Sequence, residues 1–192
     1  MRQINKVVCH HSATPRYQTL EKSIESFNRT HKQRLHPDVN SKWYHLAYHF
    51  VVAEDGSYKQ TRGFNEVGYH ASNYPINTES LGICFIGNFD KETPTQAQYD
   101  TGTMLLAELS QTYKFSVHPH NEFAPKTCPG KNFDMNILKA NMNDMSKYTE
   151  ILQRKIEAWY SPLFTKHEWS SPLTEQEVKE LIDIALARKE GY

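Results

Sequence analysis

Residues 81–86 read Leu-Gly-Ile-Cys-Phe-Ile, an apolar run with no polar alternation, set between Ser80 and Gly87. A strand of that kind sits centrally in a sheet and is covered on both faces. The rest of the chain has the means to cover it. Residues 19–34 place Leu20, Ile24, Phe27 and His31 on one helical stripe, and 95–113 form a second amphipathic helix that starts after Pro94. Further strands are expected at 4–9, at 115–118 and in a hairpin over 46–53 and 58–61, whose turn carries Asp55-Gly56. Strands and helices mixed in this order predict an α/β fold, a mixed central β-sheet flanked by helices.

Beyond about residue 140 the texture changes. Met145, Tyr148, Leu152, Ile156 and Trp159 recur at helical spacing, and a Pro-containing break spans 161–172. Thr174-Glu175-Gln176-Glu177 then opens a helix with Val178, Leu181, Ile182, Ala185 and Leu186 on one face. Two units are therefore expected: a domain over 1–140 and a helical extension over 141–192. The extension needs a surface to pack on, and the amphipathic pattern predicts packing within the chain over a targeting role.

Twenty-two basic and 22 acidic residues cancel, so no charge excess draws the chain towards nucleic acid or anionic lipid. No apolar run is long enough to span a bilayer, and the first residues lack the apolar core of a secretory signal. The chain is thus expected to be made in the cytoplasm and to need another route if it works outside. Three scattered cysteines give no disulfide framework. Cys9 and Cys84 sit in strand-like runs and read as small buried hydrophobes. Only Cys128 lies in a loop beside a histidine.

That loop carries the chemistry. His120 and Cys128 are separated by seven residues, including Pro125, and Pro129-Gly130 follows. A third candidate ligand comes from Val7-Val8-Cys9-His10-His11, where the two histidines point to opposite faces of a strand, so only one can face a metal. His118 and His120 share a face, and either is eligible. Two histidines and one cysteine make a borderline-soft set suited to zinc. Three protein ligands leave a fourth position open, the catalytic rather than the structural arrangement.

Six fragments now stand in one order: Val8-Cys9-His10-His11-Ser12-Ala13-Thr14, Ala47-Tyr48-His49-Phe50 with Asp55-Gly56 after it, Gly68-Tyr69-His70-Ala71, Asn77-Thr78-Glu79-Ser80-Leu81-Gly82-Ile83, Thr95-Gln96 opening a helix, and His120 with Cys128-Pro129. Over most of residues 4–140 they resemble the zinc N-acetylmuramoyl-L-alanine amidases, which include phage lysozyme-type amidases and peptidoglycan recognition proteins. The resemblance implies one Zn2+ held by His10, His120 and Cys128, leaving His11 and His118 outside the ligand set. It implies catalytic roles for Tyr48 and Lys126, and groove-lining or bracing roles for His70, Asn77 and Ser80. Glu21, Glu66 and Glu122 are candidate bases in principle, and nothing in their spacing favours any of them.

The implied reaction is hydrolysis of the amide between N-acetylmuramic acid and L-alanine, with peptidoglycan or muropeptides as partner, no membrane insertion and a monomeric chain. Cys128 stands where the family's cytoplasmic recycling branch has Asp, which points to lytic, endolysin-like use on the cell wall, with release through a membrane pore as one route. Residues 35–43 are longer than a minimal connection and leave the groove there undefined. The alternative is a non-catalytic peptidoglycan-binding module of the same fold. Loss of the cysteine ligand marks such binders, and Cys128 is present. A structural zinc domain would want a fourth protein ligand, which the strand cysteines are badly placed to give.

Overall fold

The computed structural model of the chain describes residues 2–32, 46–142 and 150–151. Its elements are β1 (Lys6–His11), α1 (Leu20–Lys32), β2 (Phe50–Val52), β3 (Tyr58–Gln60), α2 (Tyr74–Glu79), β4 (Ser80–Phe85), α3 (Gln96–Ser110), β5 (Ser116–Pro119), a single 3-10 turn (His120–Glu122) and α4 (Met135–Asn141). The five strands form one sheet in the order β3-β2-β4-β1-β5. β1 pairs in parallel with both β4 and β5, β2 pairs in parallel with β4, and β3 closes the edge antiparallel to β2.

Strand β4 is buried at every residue, as its unbroken apolar run requires. Its side chains alternate between two apolar clusters. Leu81, Ile83 and Phe85 join Val7, Cys9, Leu105, Leu106 and Leu138 on the face covered by α3 and α4. Cys84 and Ile86 join Ile24, Phe27, Leu46 and Val51 on the α1 face. The Asp55-Gly56 turn forms as expected: Gly56 takes φ +79°, a value glycine adopts without strain. The Asp55 carboxylate accepts from the Ser57 backbone N–H at 2.8 Å.

Helix α3 begins one residue after Thr95, which caps it reciprocally with Gln98. Two elements went unanticipated. Helix α2 is too short to show a periodicity, and Pro75 within its first turn reads as a break; Asn73 caps it. Helix α4 is equally short and is capped by Asp134.

The first hairpin strand is shorter than expected. The ladder covers only Phe50–Val52; the His49 carbonyl still accepts from the Thr61 N–H, while Ala47 bonds outside the hairpin. The Ala47 N–H donates to His31 Nδ1 at 3.1 Å. The Ala47 carbonyl accepts from the Tyr69 N–H, and the His49 N–H donates to the Gly82 carbonyl. This departure sets where Tyr48 stands. The long connection at 35–43 and the helical stripe of 174–186 lie outside the described residues, as does that of 145–159 apart from residues 150 and 151, which are helical. Among the described residues no helix is long and apolar enough to cross a membrane.

Candidate active site

The C-terminal ends of the parallel strands deliver the candidate metal ligands. His10 is the penultimate residue of β1, and its ring turns to the face opposite Val7 and Cys9. His120 opens the 3-10 turn directly after β5. Cys128 arrives on the loop that follows. The ligand atoms of His10, His120 and Cys128 lie within 4.8 Å of one another, and all three residues are buried. Cys128 Sγ stands 3.7 Å from His10 Nδ1. Among the described residues no other histidine, cysteine or carboxylate group gathers in this way.

The loop is tied down from both sides. The Asn121 N–H donates to the Cys128 carbonyl, and the Gly130 N–H to that of Thr127. Asp90, just beyond β4, accepts from the Thr127 hydroxyl at 2.6 Å and from the Lys131 N–H at 3.1 Å. The His11 backbone N–H donates to Cys128 Sγ at 3.4 Å.

The His11 ring faces away from the trio. Its Nδ1 accepts from the Phe89 N–H at 3.1 Å. His118 also faces elsewhere, bonded to Glu122 and to Ser116, each at 2.6 Å. The strand ends at Pro119, so the period-two rule that put His118 and His120 on one face does not extend across the junction. Glu66 accepts from the Gly63 N–H, and none of Glu21, Glu66 and Glu122 lines the cavity above the trio.

Burial sets the protonation of the trio. It drives the His10 imidazole well below its ordinary pKa, aided by the neighbouring His70 and His120. Burial and then the Lys126 ammonium take His120 down to about 4. Both rings are neutral at physiological pH and present lone pairs. Burial pushes the Cys128 thiol up to about 11, against the pull of the His11 N–H and of Lys126. A metal held here would have to displace the thiol proton.

The cavity has a volume of about 590 Å³ and is lined by the trio, Tyr48, Lys126, His70 and Asn77, among others. Lys126 is exposed on its rim. The Tyr48 ring centroid lies 5.2 Å from that of His10. Burial holds the Cys84 thiol well above its ordinary pKa, and Tyr48 draws it down, as a nearby donor does. Cys84, expected to be only a small buried hydrophobe, is therefore also a polar neighbour of Tyr48. His31 of α1 packs edge-on against Tyr48 with 5.5 Å between centroids.

His70 and Asn77 contribute to the cavity wall from a buried position, whereas Ser80 is wholly buried behind His70 and does not line the cavity. Two further residues, not singled out in the sequence, stand on the rim: Tyr69 is 46% and Tyr74 59% exposed. Large aromatic residues left this open in a cavity mouth suit stacking on a ligand. Nothing in their spacing distinguishes them from core tyrosines.

Comparison with known proteins places this geometry. Residues 1–131 match the family model described as N-acetylmuramoyl-L-alanine amidase. The endolysin of Klebsiella phage KP32 is 29% identical over 139 residues, covering 69% of this chain and 83% of that protein. The endolysin of Escherichia phage T7 is 30% identical over 135 residues, covering 67% and 81%. Among solved structures, the N-acetylmuramoyl-L-alanine amidase LysC from Clostridium intestinale superposes with a TM-score of 0.62 at 29% identity, over 74% of this chain and 87% of that one. Peptidoglycan recognition protein LE in complex with tracheal cytotoxin, a monomeric diaminopimelic acid-type peptidoglycan, gives 0.60 at 28% identity, over 72% and 81%. A family match across two-thirds of the chain, ending just past the cysteine of the trio, makes this protein a member of the N-acetylmuramoyl-L-alanine amidase family.

Proposed function

We propose that the chain is a zinc hydrolase that cuts the amide between N-acetylmuramic acid and L-alanine in peptidoglycan, with His10, His120 and Cys128 as the metal ligands. The observation that carries this reading is the convergence of three buried ligand atoms within 4.8 Å at the floor of an open cavity. The donor set fits zinc. Around a tetrahedral zinc with usual bond lengths, nitrogen and sulfur ligands stand about 3.6 Å apart, against 3.7 Å between His10 Nδ1 and Cys128 Sγ. His120 Nε2 is buried without a hydrogen-bond partner, a costly state for a polar atom unless something binds it.

When bound, zinc acts as a Lewis acid and lowers the pKa of a coordinated water to roughly 7. The chain's own groups do the rest. Amide hydrolysis pushes negative charge onto the carbonyl oxygen. The Lys126 ammonium at the cavity edge is placed to stabilise that charge as it develops. The Tyr48 hydroxyl, carried on a ring braced by His31, orients the attacking oxygen or donates to the developing oxyanion. Tyr69 and Tyr74 offer ring faces to the sugar and peptide stem. The site is complete within one chain, which is consistent with action as a monomer, and the phage endolysins it is similar to suggest a lytic role at the cell wall.

The test uses purified full-length chain and isolated cell walls. One equivalent of zinc and release of new L-alanine amino groups are expected. Chelation should abolish release and added zinc restore it. Metal-free protein working at full rate would overturn the mechanism, and tight wall binding without release would identify a non-catalytic binding module.

We also assign residues 1–140 to the amidase domain and 141–192 to a helical extension that packs on it. Truncation after residue 140 is expected to preserve zinc binding and to lower the melting temperature by exposing apolar surface. A truncated protein with the wild-type melting temperature that cleaves soluble muropeptides yet no longer binds intact walls would make the extension a wall-targeting element.

A further inference from the structure

Each histidine of the trio has a second ring nitrogen, and the partners of those nitrogens converge on one dipeptide. His10 Nε2 lies 3.0 Å from His70 Nδ1. His70 Nε2 lies 3.4 Å from Ser80 Oγ. The Ser80 hydroxyl donates its only proton to the Ile76 carbonyl, at 2.6 Å. These three contacts have one consistent direction. Because the Ser80 proton is engaged, its oxygen must accept from His70 Nε2–H. A neutral His70 then has a bare Nδ1, which accepts from His10 Nε2–H. His10 is left with its lone pair on Nδ1, the atom that faces Cys128 Sγ.

The second histidine is set in the same way. Against the burial that lowers the His120 pKa, the Ala71 carbonyl raises it, as a nearby acceptor does, and His120 Nε2 is buried without a partner. The tautomer that fits both has its proton on Nδ1, towards that carbonyl, and its free lone pair on Nε2. Residues 70 and 71 therefore dictate both tautomers, through the side chain of one and the carbonyl of the next. That dipeptide is itself clamped. Asn77 Oδ1 accepts from the His70 and Ala71 backbone N–H groups at 3.0 and 2.9 Å. The His70 ring lies against two glycines: a Cβ on Gly82 would fall 2.7 Å from its Cγ, and one on Gly68 2.6 Å from its Cδ2.

We propose that His70, Ala71, Asn77 and Ser80 are positioning residues that fix the tautomers of the two histidine ligands, and so set metal affinity, rather than residues that recognise substrate. The proposal rests on the trio being a metal site. Its physical basis is that a ligating imidazole binds through one nitrogen only while the other N–H is held, and that outer partners of this kind govern affinity.

The test reads metal and protons, with zinc alone as the probe. In full-length metal-free protein, nitrogen-15 NMR of the imidazoles is expected to show His10 and His70 protonated on Nε2 and His120 on Nδ1. Ser80→Ala and Asn77→Ala should weaken zinc binding about 10- to 100-fold in a chelator competition. Ser80→Ala should also remove the single tautomer of His70. Asn77→Asp, which keeps the accepting oxygen, should recover most of the affinity lost in Asn77→Ala. Gly82→Ala, which intrudes on the His70 ring from β4, should weaken zinc as well.

Wild-type zinc affinity in both Ser80→Ala and Gly82→Ala, or His10 protonated on Nδ1 in the metal-free chain, would overturn the proposal while leaving the ligand trio intact. Failure of the wild-type chain to bind zinc would overturn the metal reading, and this inference with it. Should Asn77→Ala not fold, the Ser80 variant and the tautomer measurement still decide.

Discussion

Cys128→Ala is expected to abolish stoichiometric zinc binding and to lower cell-wall hydrolysis by about a thousandfold or more, with the domain still folded. Two neutral imidazoles alone make a poor zinc site, since structural and catalytic sites alike use three or four protein ligands. The Lewis acidity lost with the metal amounts to several kcal/mol of transition-state stabilisation, at about 1.4 kcal/mol per tenfold in rate. The fold should survive because the two apolar clusters that hold the sheet to its helices do not include Cys128. Metal analysis, turnover and a thermal melt on one preparation check all three points. A variant that retains both a full equivalent of zinc and wild-type turnover would remove Cys128 from the mechanism.

The second large effect is expected at Lys126. Lys126→Ala should keep zinc and fold yet lose about 10²-fold or more in turnover, the scale seen when one donor to a developing oxyanion is removed. Its ammonium is exposed on the rim, so truncation opens no cavity in the core. Tyr48→Phe should lose a similar factor with less effect on substrate binding, because the ring packing against His10 and His31 persists and only the hydroxyl goes. Steady-state kinetics on a soluble muropeptide separates the cases. Unchanged turnover in both variants would reduce the pair to scaffold.

What the sequence made legible follows from how each feature is encoded. The unbroken run in β4 declares double-sided burial, and Asp55-Gly56 declares a turn, because both are local properties of consecutive residues. Helix α2 was invisible since a single capped turn containing proline has no period to detect. The choice between His118 and His120 depended on where β5 ends, and a 3-10 turn takes over directly after Pro119. The resemblance pointed to His70, Asn77 and Ser80 without their hydrogen-bond directions, which come from atoms on three separate segments. Tyr48 was expected as a catalytic residue, but its nearness to Cys84 of β4 joins segments far apart in the chain and carries no local signature.

Strand β1 lies between β4 and β5, and both of its neighbours come later in the chain. His10 must therefore wait for a partner 118 residues downstream. Pairing of such distant segments is slow and late in folding. During synthesis from the N-terminus, the first ligand emerges long before the loop that completes the trio. A nascent chain thus has no metal centre until the residues around Cys128 have left the ribosome and docked beneath Asp90. On the proposed reading, wall-cutting activity belongs only to domains whose chain extends through that loop, and a polypeptide that ends before it lacks the third ligand.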